Sequence, residues 1–122
     1  VTTTRERGLA AENLALDHLQ RHRLKLLVRN WSCRLGELDL VMLDGDTVVF
    51  VEVRSRRHSA WGGAIESVDA RKRQRLVAAA ESFLQNETRW ARQPCRFDVV
   101  AISPTATAQP LRLEWIKNAF DS

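Results

Sequence analysis

The stretch Gly36-Glu37-Leu38-Asp39-Leu40-Val41-Met42-Leu43-Asp44-Gly45-Asp46-Thr47-Val48-Val49-Phe50-Val51-Glu52-Val53-Arg54 decides how this chain is read. Two apolar runs flank Asp44-Gly45-Asp46. Glycine reaches positive φ without a steric penalty and aspartate bonds back to its own backbone, so this trio is a strong turn signal. The pattern predicts strands from Glu37 to Leu43 and from Thr47 to Arg54. Side chains alternate faces along a strand, which puts Glu37, Asp39, Val41 and Leu43 on one face and Leu38, Leu40 and Met42 on the other. On the second arm Val48, Phe50, Glu52 and Arg54 share a face, opposite Val49, Val51 and Val53.

Register decides whether the acids meet. A two-residue loop of Gly45-Asp46, or a four-residue loop of Asp44 to Thr47, pairs Asp39 with Glu52 and Glu37 with Arg54. A loop of Asp44-Gly45 pairs Glu37 with Glu52. Every register leaves Glu37, Asp39, Glu52 and Arg54 on one face, with opposed Cβ atoms roughly 5 Å apart. Elsewhere the hairpin is apolar on both faces, the mark of strands buried on both sides. Two carboxylates at about 5 Å repel by roughly 3 kcal/mol at an effective dielectric near 20. Either a cation offsets that repulsion or one acid keeps its proton. A hard divalent cation with oxygen ligands suits the pair, and magnesium binds one or two carboxylates together with substrate phosphate oxygens.

Outward from the hairpin, the periodicity predicts a helix from Thr4 to His22, with Leu9, Leu16 and Leu19 on one face and Ala10, Ala11 and Ala15 favouring helix. Leu24 to Trp31 reads as a strand. After the hairpin come a loop from Ser55 to Glu66 containing Gly62-Gly63, a helix from Val68 to Asn86, and strands from Arg96 to Ile102 and from Leu111 to Ile116. The loop Ser103 to Pro110 separates the last two. The order αβββαββ predicts an α/β fold, a mixed five-stranded sheet flanked by helices, in a single domain spanning residues 1–122. Glu12 falls between Leu16 and Leu19 on the apolar stripe of the first helix, where a carboxylate needs a partner. Lys72 lines up with Leu76, Ala79 and Phe83 on the second helix and leans toward the sheet.

The chain has 122 residues, of which 44% are hydrophobic and 28% charged, enough apolar material for a core. Its net charge of +4 favours an anionic partner, nucleic acid ahead of a membrane surface. Only Lys25, Lys72 and Lys117 are lysines, and the remaining basic residues are arginines, whose planar donor fork matches phosphate. Two distant cysteines, Cys33 and Cys95, make neither a disulfide scaffold nor a four-ligand zinc site. With no apolar run of bilayer length and no hydrophobic signal core, the expectation is a reduced, cytoplasmic protein without a membrane partner.

The hairpin motif Gly36-Glu37-Leu38-Asp39-Leu40-Val41 with Val49-Phe50-Val51-Glu52-Val53-Arg54-Ser55-Arg56 resembles the YraN-type uncharacterised proteins. Gly8 with Ala11-Glu12, Arg29-Asn30, Trp61-Gly62, Lys72 with Arg75-Leu76, and Arg96-Phe97-Asp98-Val99-Val100 extend the resemblance from Gly8 to about Ile102. That family is similar to Holliday-junction resolvases and to the restriction-endonuclease-like superfamily, which carry an Asp and, on the next strand, Glu-x-Lys. The resemblance implies a restriction-endonuclease-like core in which Asp39 and Glu52 bind Mg2+ or Mn2+, with the Val53 carbonyl as a further ligand and Glu12 matching the helix glutamate of resolvase-like members. It also implies DNA as partner, and a homodimer by analogy with junction resolvases. The superfamily lysine is replaced by Arg54, which cannot act as a general base but can stabilise transition-state charge. Lys72 is a candidate to supply a lysine from the second helix.

The functional expectation is a metal-dependent endonuclease of branched or otherwise structured DNA. Asp39 and Glu52 fix the metal, Glu12 and Glu37 complete its shell, and Arg54, Arg56 and Arg57 hold the phosphodiester. Arg71 and Arg75 on the second helix are further phosphate candidates. Nothing in the pattern reads base edges, so recognition of backbone and shape is expected. Two alternatives stand beside it: a binding module of the same fold that has lost cleavage with the lysine, and an interaction domain whose acids are neutralised by arginines. His18 and His22 have the spacing of helical zinc ligands but face away from the leucine stripe, as a solvated helix end. Trp61, beside Gly62-Gly63, is placed either to stack on a splayed base or, as loop tryptophans more often do, to fold back onto the core; Trp31, Trp90 and Trp115 are assigned to packing.

Overall fold

The computed structural model describes residues 4–55, 68–103 and 112–121. Helix α1 (Thr4–Arg21) leads into strands β1 (Lys25–Cys33), β2 (Gly36–Asp44) and β3 (Thr47–Ser55), then helix α2 (Ala70–Asn86), a 3-10 turn (Thr88–Trp90), and strands β4 (Cys95–Ser103) and β5 (Arg112–Phe120). The strands form one sheet in the order β1-β2-β3-β4-β5. β3 and β4 run parallel and the other neighbours antiparallel. The fold is therefore the α/β arrangement expected, a mixed sheet flanked by helices. Arg56, Arg57, Trp61 and Gly62-Gly63 lie outside the described residues.

Each face of the sheet carries its own core. On the α2 face Leu76, Ala79, Ala80 and Phe83 bury Val41, Val48, Phe50, Phe97 and Val99. On the α1 face Ala11, Ala15 and Leu19 cover Leu40, Met42, Val49, Val51 and Val100. Double-sided burial is why β2 and β3 read as nearly continuous apolar runs. Two details depart from the sequence pattern. The buried stripe of α1 is Ala11-Ala15-Leu19, while Leu9 is 51% exposed. Leu38 joins the α2-side core instead of following Leu40 to the α1 side; the β2–β3 ladder ends at Leu40↔Val51, and the β1–β2 ladder lacks its Asn30–Asp39 rung, where Asn30 takes a left-handed φ of 53°, so the alternation slips there and Trp31 and Leu38 both turn to the α2 side.

The last strand is longer than its hydrophobic pattern suggests, because Asp98 carries it past a polar break. Asp98 is fully buried. It accepts from Arg96 Nε (3.0 Å) and Nη2 (3.2 Å), from Trp115 Nε1 (3.0 Å) and from the Asn118 backbone N–H (2.9 Å). The β4–β5 register shifts between Phe97 and Val99, and Asn118 takes a φ of 52°, a left-handed value that asparagine tolerates. Arg96 also bridges Asp44 beside the β2–β3 turn at 3.0 Å.

Candidate metal and phosphate site

The hairpin closes through Gly45-Asp46. Gly45 has a φ of 60°, as the first residue of a II′-type hairpin loop requires, and Asp44 pairs with Thr47. The regular ladder runs from there to Leu40↔Val51. The next rung in this register is Asp39 with Glu52. There Asp39 Oδ2 accepts the Val53 N–H at 2.9 Å, a side chain taking the place of a backbone acceptor.

Glu52 alternates with Val48 and Phe50 and so lies on the α2 face, only 4% exposed. Its Oε2 sits 3.4 Å from Arg54 Nη1 and 3.4 Å from Lys72 Nζ. Lys72 reaches it because Asp69 caps α2: Asp69 Oδ1 accepts the Lys72 backbone N–H at 2.8 Å and fixes the first turn. Burial, together with the meeting with Glu52, pushes the Asp39 carboxyl up to about 7. Burial is the first cause, followed by the charge of Glu52 and a hydrogen bond with it; the Val53 N–H and the Lys72 charge oppose the rise. The structure thus brings together Asp39, Glu52, Arg54 and Lys72, with the Val53 backbone beside them.

Glu12 is elsewhere. Its Oε1 accepts from Arg29 Nη2 at 3.2 Å, and the same nitrogen donates to Asn13 Oδ1 at 2.8 Å. Arg29 pairs with Leu40 across the ladder and shares its α1-side face, so Glu12 and the Glu52 carboxylate occupy opposite sides of the sheet. The inward-pointing glutamate found its partner, but that partner is an arginine. Among the described residues no group of three or more His, Cys, Asp or Glu side chains is placed to hold a metal ion. Glu37 is exposed and pairs with Ser32 of β1. Arg54 pairs with Glu52 and not with Glu37, since the β2–β3 ladder stops before that rung.

Glu37 lines an open groove with Lys72, Arg75, Leu76 and the β1–β2 turn around Arg34. Arg71 and Arg75 are both exposed on α2. Sequence reasoning missed Arg34, whose turn position carried no signal, and the Asp98 network, whose signal was an acid inside the apolar run Phe97-Asp98-Val99-Val100. The solvated helix end holds for His22, which is exposed, but the contact of both histidines with Trp115 was not foreseen. His18 and His22 lie edge-on to Trp115, with ring centroids 5.8 and 5.4 Å away, because β5 lays its tryptophan against the end of α1. Cys33 and Cys95 are free thiols, and no helix among the described residues is long and apolar enough to cross a membrane.

The hairpin, helix α2, most of α1 and all but the last residue of the Asp98 strand fall within residues 11–102, the span matched by the model of the uncharacterised protein family UPF0102. Curated relatives extend the match over nearly the whole chain. A UPF0102 protein of Ectopseudomonas mendocina (strain ymp) is 71% identical over 115 residues, 94% of each chain. One of Stutzerimonas stutzeri (strain A1501) is 69% identical over 115 residues, again 94% of each. One of Pseudomonas aeruginosa (strain LESB58) is 65% identical over 120 residues, covering 98% of this chain and 96% of the relative. With a family match over most of its length and full-length relatives at this identity, the chain belongs to the uncharacterised family UPF0102, the YraN-type proteins.

Proposed function

We propose that this protein is a Mg2+- or Mn2+-dependent endonuclease acting on the phosphodiesters of structured or branched DNA. The observation that carries the reading is the meeting of Asp39 and Glu52 on one sheet face, where Asp39 is held protonated up to about 7. Two carboxylates forced together in a partly buried place are costly unless a proton or a cation sits between them. The donor set fits a hard cation, which takes one or two carboxylates and fills its other positions with water and phosphate oxygens. Asp39 and Glu52 would hold it, with the Val53 carbonyl as a further oxygen donor. When bound, such a cation polarises a phosphate oxygen and lowers the pKa of its water.

The chain's own residues do the rest. Arg54 and Lys72 bring two positive charges to Glu52, at the edge where a phosphate would approach. Arg54 stays charged at every relevant pH and cannot take a proton. Asp39 exchanges its proton near neutrality, so its carboxyl can release one as a cation arrives. Arg56 and Arg57, just beyond Ser55, and Arg71 and Arg75 on α2 are the cations proposed to grip the backbone. Glu12, paired with Arg29, would act at most by orienting β1 beside the hairpin.

Nicking of a labelled four-way junction in Mn2+ tests the reading. Asp39→Asn and Glu52→Gln should each lower the rate on the order of 100-fold, and calorimetry should show Mn2+ binding lost in both. Wild-type nicking in the two variants overturns it. A second reading, DNA binding without cleavage, draws support from the double ion pair on Glu52, which already offsets its charge. Junction binding without nicking in either metal would favour it.

A further inference from the structure

We propose that the groove between the β1–β2 turn and the first turns of α2 is a phosphate track, with Arg34 and Arg75 as its anchoring cations, along which a DNA backbone leaves the carboxylate pair. Three observations carry it. Arg34 from the turn and Lys72 and Arg75 from the helix line one open groove. Neither Arg34 nor Arg75 has an acidic partner among the described residues, whereas Arg29, Arg54, Lys72 and Arg96 are each paired with a carboxylate. The turn is also held hard against the helix: a Cβ on Gly36 would lie 3.0 Å from the Arg75 carbonyl oxygen.

That last contact makes the groove a built feature. Only glycine lets the β1–β2 turn touch the backbone of α2 so closely, and the contact fixes the wall carrying Arg34 relative to the wall carrying Arg75. Lys72, one helical turn before Leu76, is common to both places: it lines the groove and reaches Glu52 at 3.4 Å. A polyanion following Arg34, Arg75 and Lys72 arrives at the carboxylate pair. Two guanidinium forks suit the non-bridging oxygens of successive phosphodiesters. Glu37, on the groove wall, is the opposing charge that keeps binding weak enough to release. The direction of the track rests on the nuclease reading; the recognition of phosphate by the groove does not.

The test is fluorescence anisotropy of a fluorescein-labelled DNA duplex with the protein in EDTA, across a salt series. Arg34→Ala/Arg75→Ala should reduce the slope of log affinity against log salt by about two and weaken binding about tenfold or more at low salt. Glu37→Gln should tighten binding. Lys25→Ala/Arg112→Ala removes the same charge from exposed positions outside the groove and should leave the slope within about half a unit of wild type. All four arginine and lysine positions are exposed or in strands' first residues, and a thermal melt of each variant shows that it is folded. An unchanged slope in the groove variant, or an equal fall in the charge-matched control, overturns the proposal. The outcome is separable from the nuclease reading: a slope change without metal-dependent nicking keeps the groove and ends the nuclease, and nicking with an unchanged slope does the reverse.

Discussion

Asp39 accepts the backbone N–H of Val53 at 2.9 Å, at the point where the β2–β3 ladder would otherwise continue. The carboxylate therefore has a structural duty that an uncharged amide could perform equally well, and a charge that the fold does not need. The proton Asp39 holds is the measure of that second property.

Stability of the metal-free protein should fall as pH rises from about 4 to about 7 and level off above that. Asp39 binds its proton up to about 7 in the folded state, against 3.8 in the unfolded chain. Between those values the folded protein carries a proton that the unfolded one has lost, so the contribution is full below about pH 4 and gone above about pH 7. Each tenfold difference in proton affinity is about 1.4 kcal/mol, which bounds the effect at roughly 4 kcal/mol. Urea melts in EDTA at about pH 5 and about pH 8 should show wild type losing stability relative to Asp39→Asn, whose amide oxygen still accepts from Val53. Parallel pH profiles in the two proteins would show that Asp39 ionises without cost. Added Mn2+ should flatten the wild-type profile and leave the variant's unchanged.

Replacing Lys72 with Met keeps the apolar stem on α2 and removes the charge that opposes the rise at Asp39. The Asp39 midpoint should then move further up, by roughly half to one pH unit, followed by carboxyl-carbon NMR of the metal-free protein. A midpoint that stays put would mean that the ammonium faces solvent and takes no part in the pair.

Much of this site was legible in the hairpin alone. The turn Asp44-Gly45-Asp46 and the two apolar runs gave the hairpin but left its register open between loop choices, of which the structure takes Gly45-Asp46, and one-face alternation holds as far as Leu40 and fails at Leu38. Glu12 shows where such reading ends. Its inward position was correct, but a helical wheel cannot say which face of the sheet the helix will cover, and α1 covers the face opposite Glu52. Lys72 was placed correctly for the same local reason and met the acids because α2 covers the other face. Asp98 was quoted only as part of a motif. The donors that satisfy it lie on Arg96, Trp115 and Asn118, and two of those three belong to β5, too far along the chain for any local pattern to connect them with Asp98. The same long-range strand explains why His18 and His22 lie against Trp115.

Asp98→Ala should be among the most damaging single changes, although Asp98 is not assigned to the site. It would leave the Trp115 indole and the Asn118 N–H without the carboxylate they share, and Arg96 with Asp44 alone, around a position that is itself fully buried. Breaking one side of such a buried charge network costs about 3–5 kcal/mol. Urea denaturation should report that loss, with altered Trp115 fluorescence in whatever folded fraction remains. A loss under about 1 kcal/mol would mean that the surrounding donors find water readily.

Gly36→Ala tests the packing that holds the groove together. The added methyl would lie 3.0 Å from the Arg75 carbonyl oxygen and 3.6 Å from its carbonyl carbon, both backbone atoms that cannot rotate aside. The turn or the helix must therefore give way, at a cost of about 1–3 kcal/mol. Gly36 also pairs with Cys33 across the β1–β2 turn, so a displaced turn loosens the end of both strands. Hydrogen exchange should quicken at residues 32–37 and in the first turns of α2 while β4 stays protected. Exchange that quickens uniformly would point to a global loss of stability with no specific contact between turn and helix.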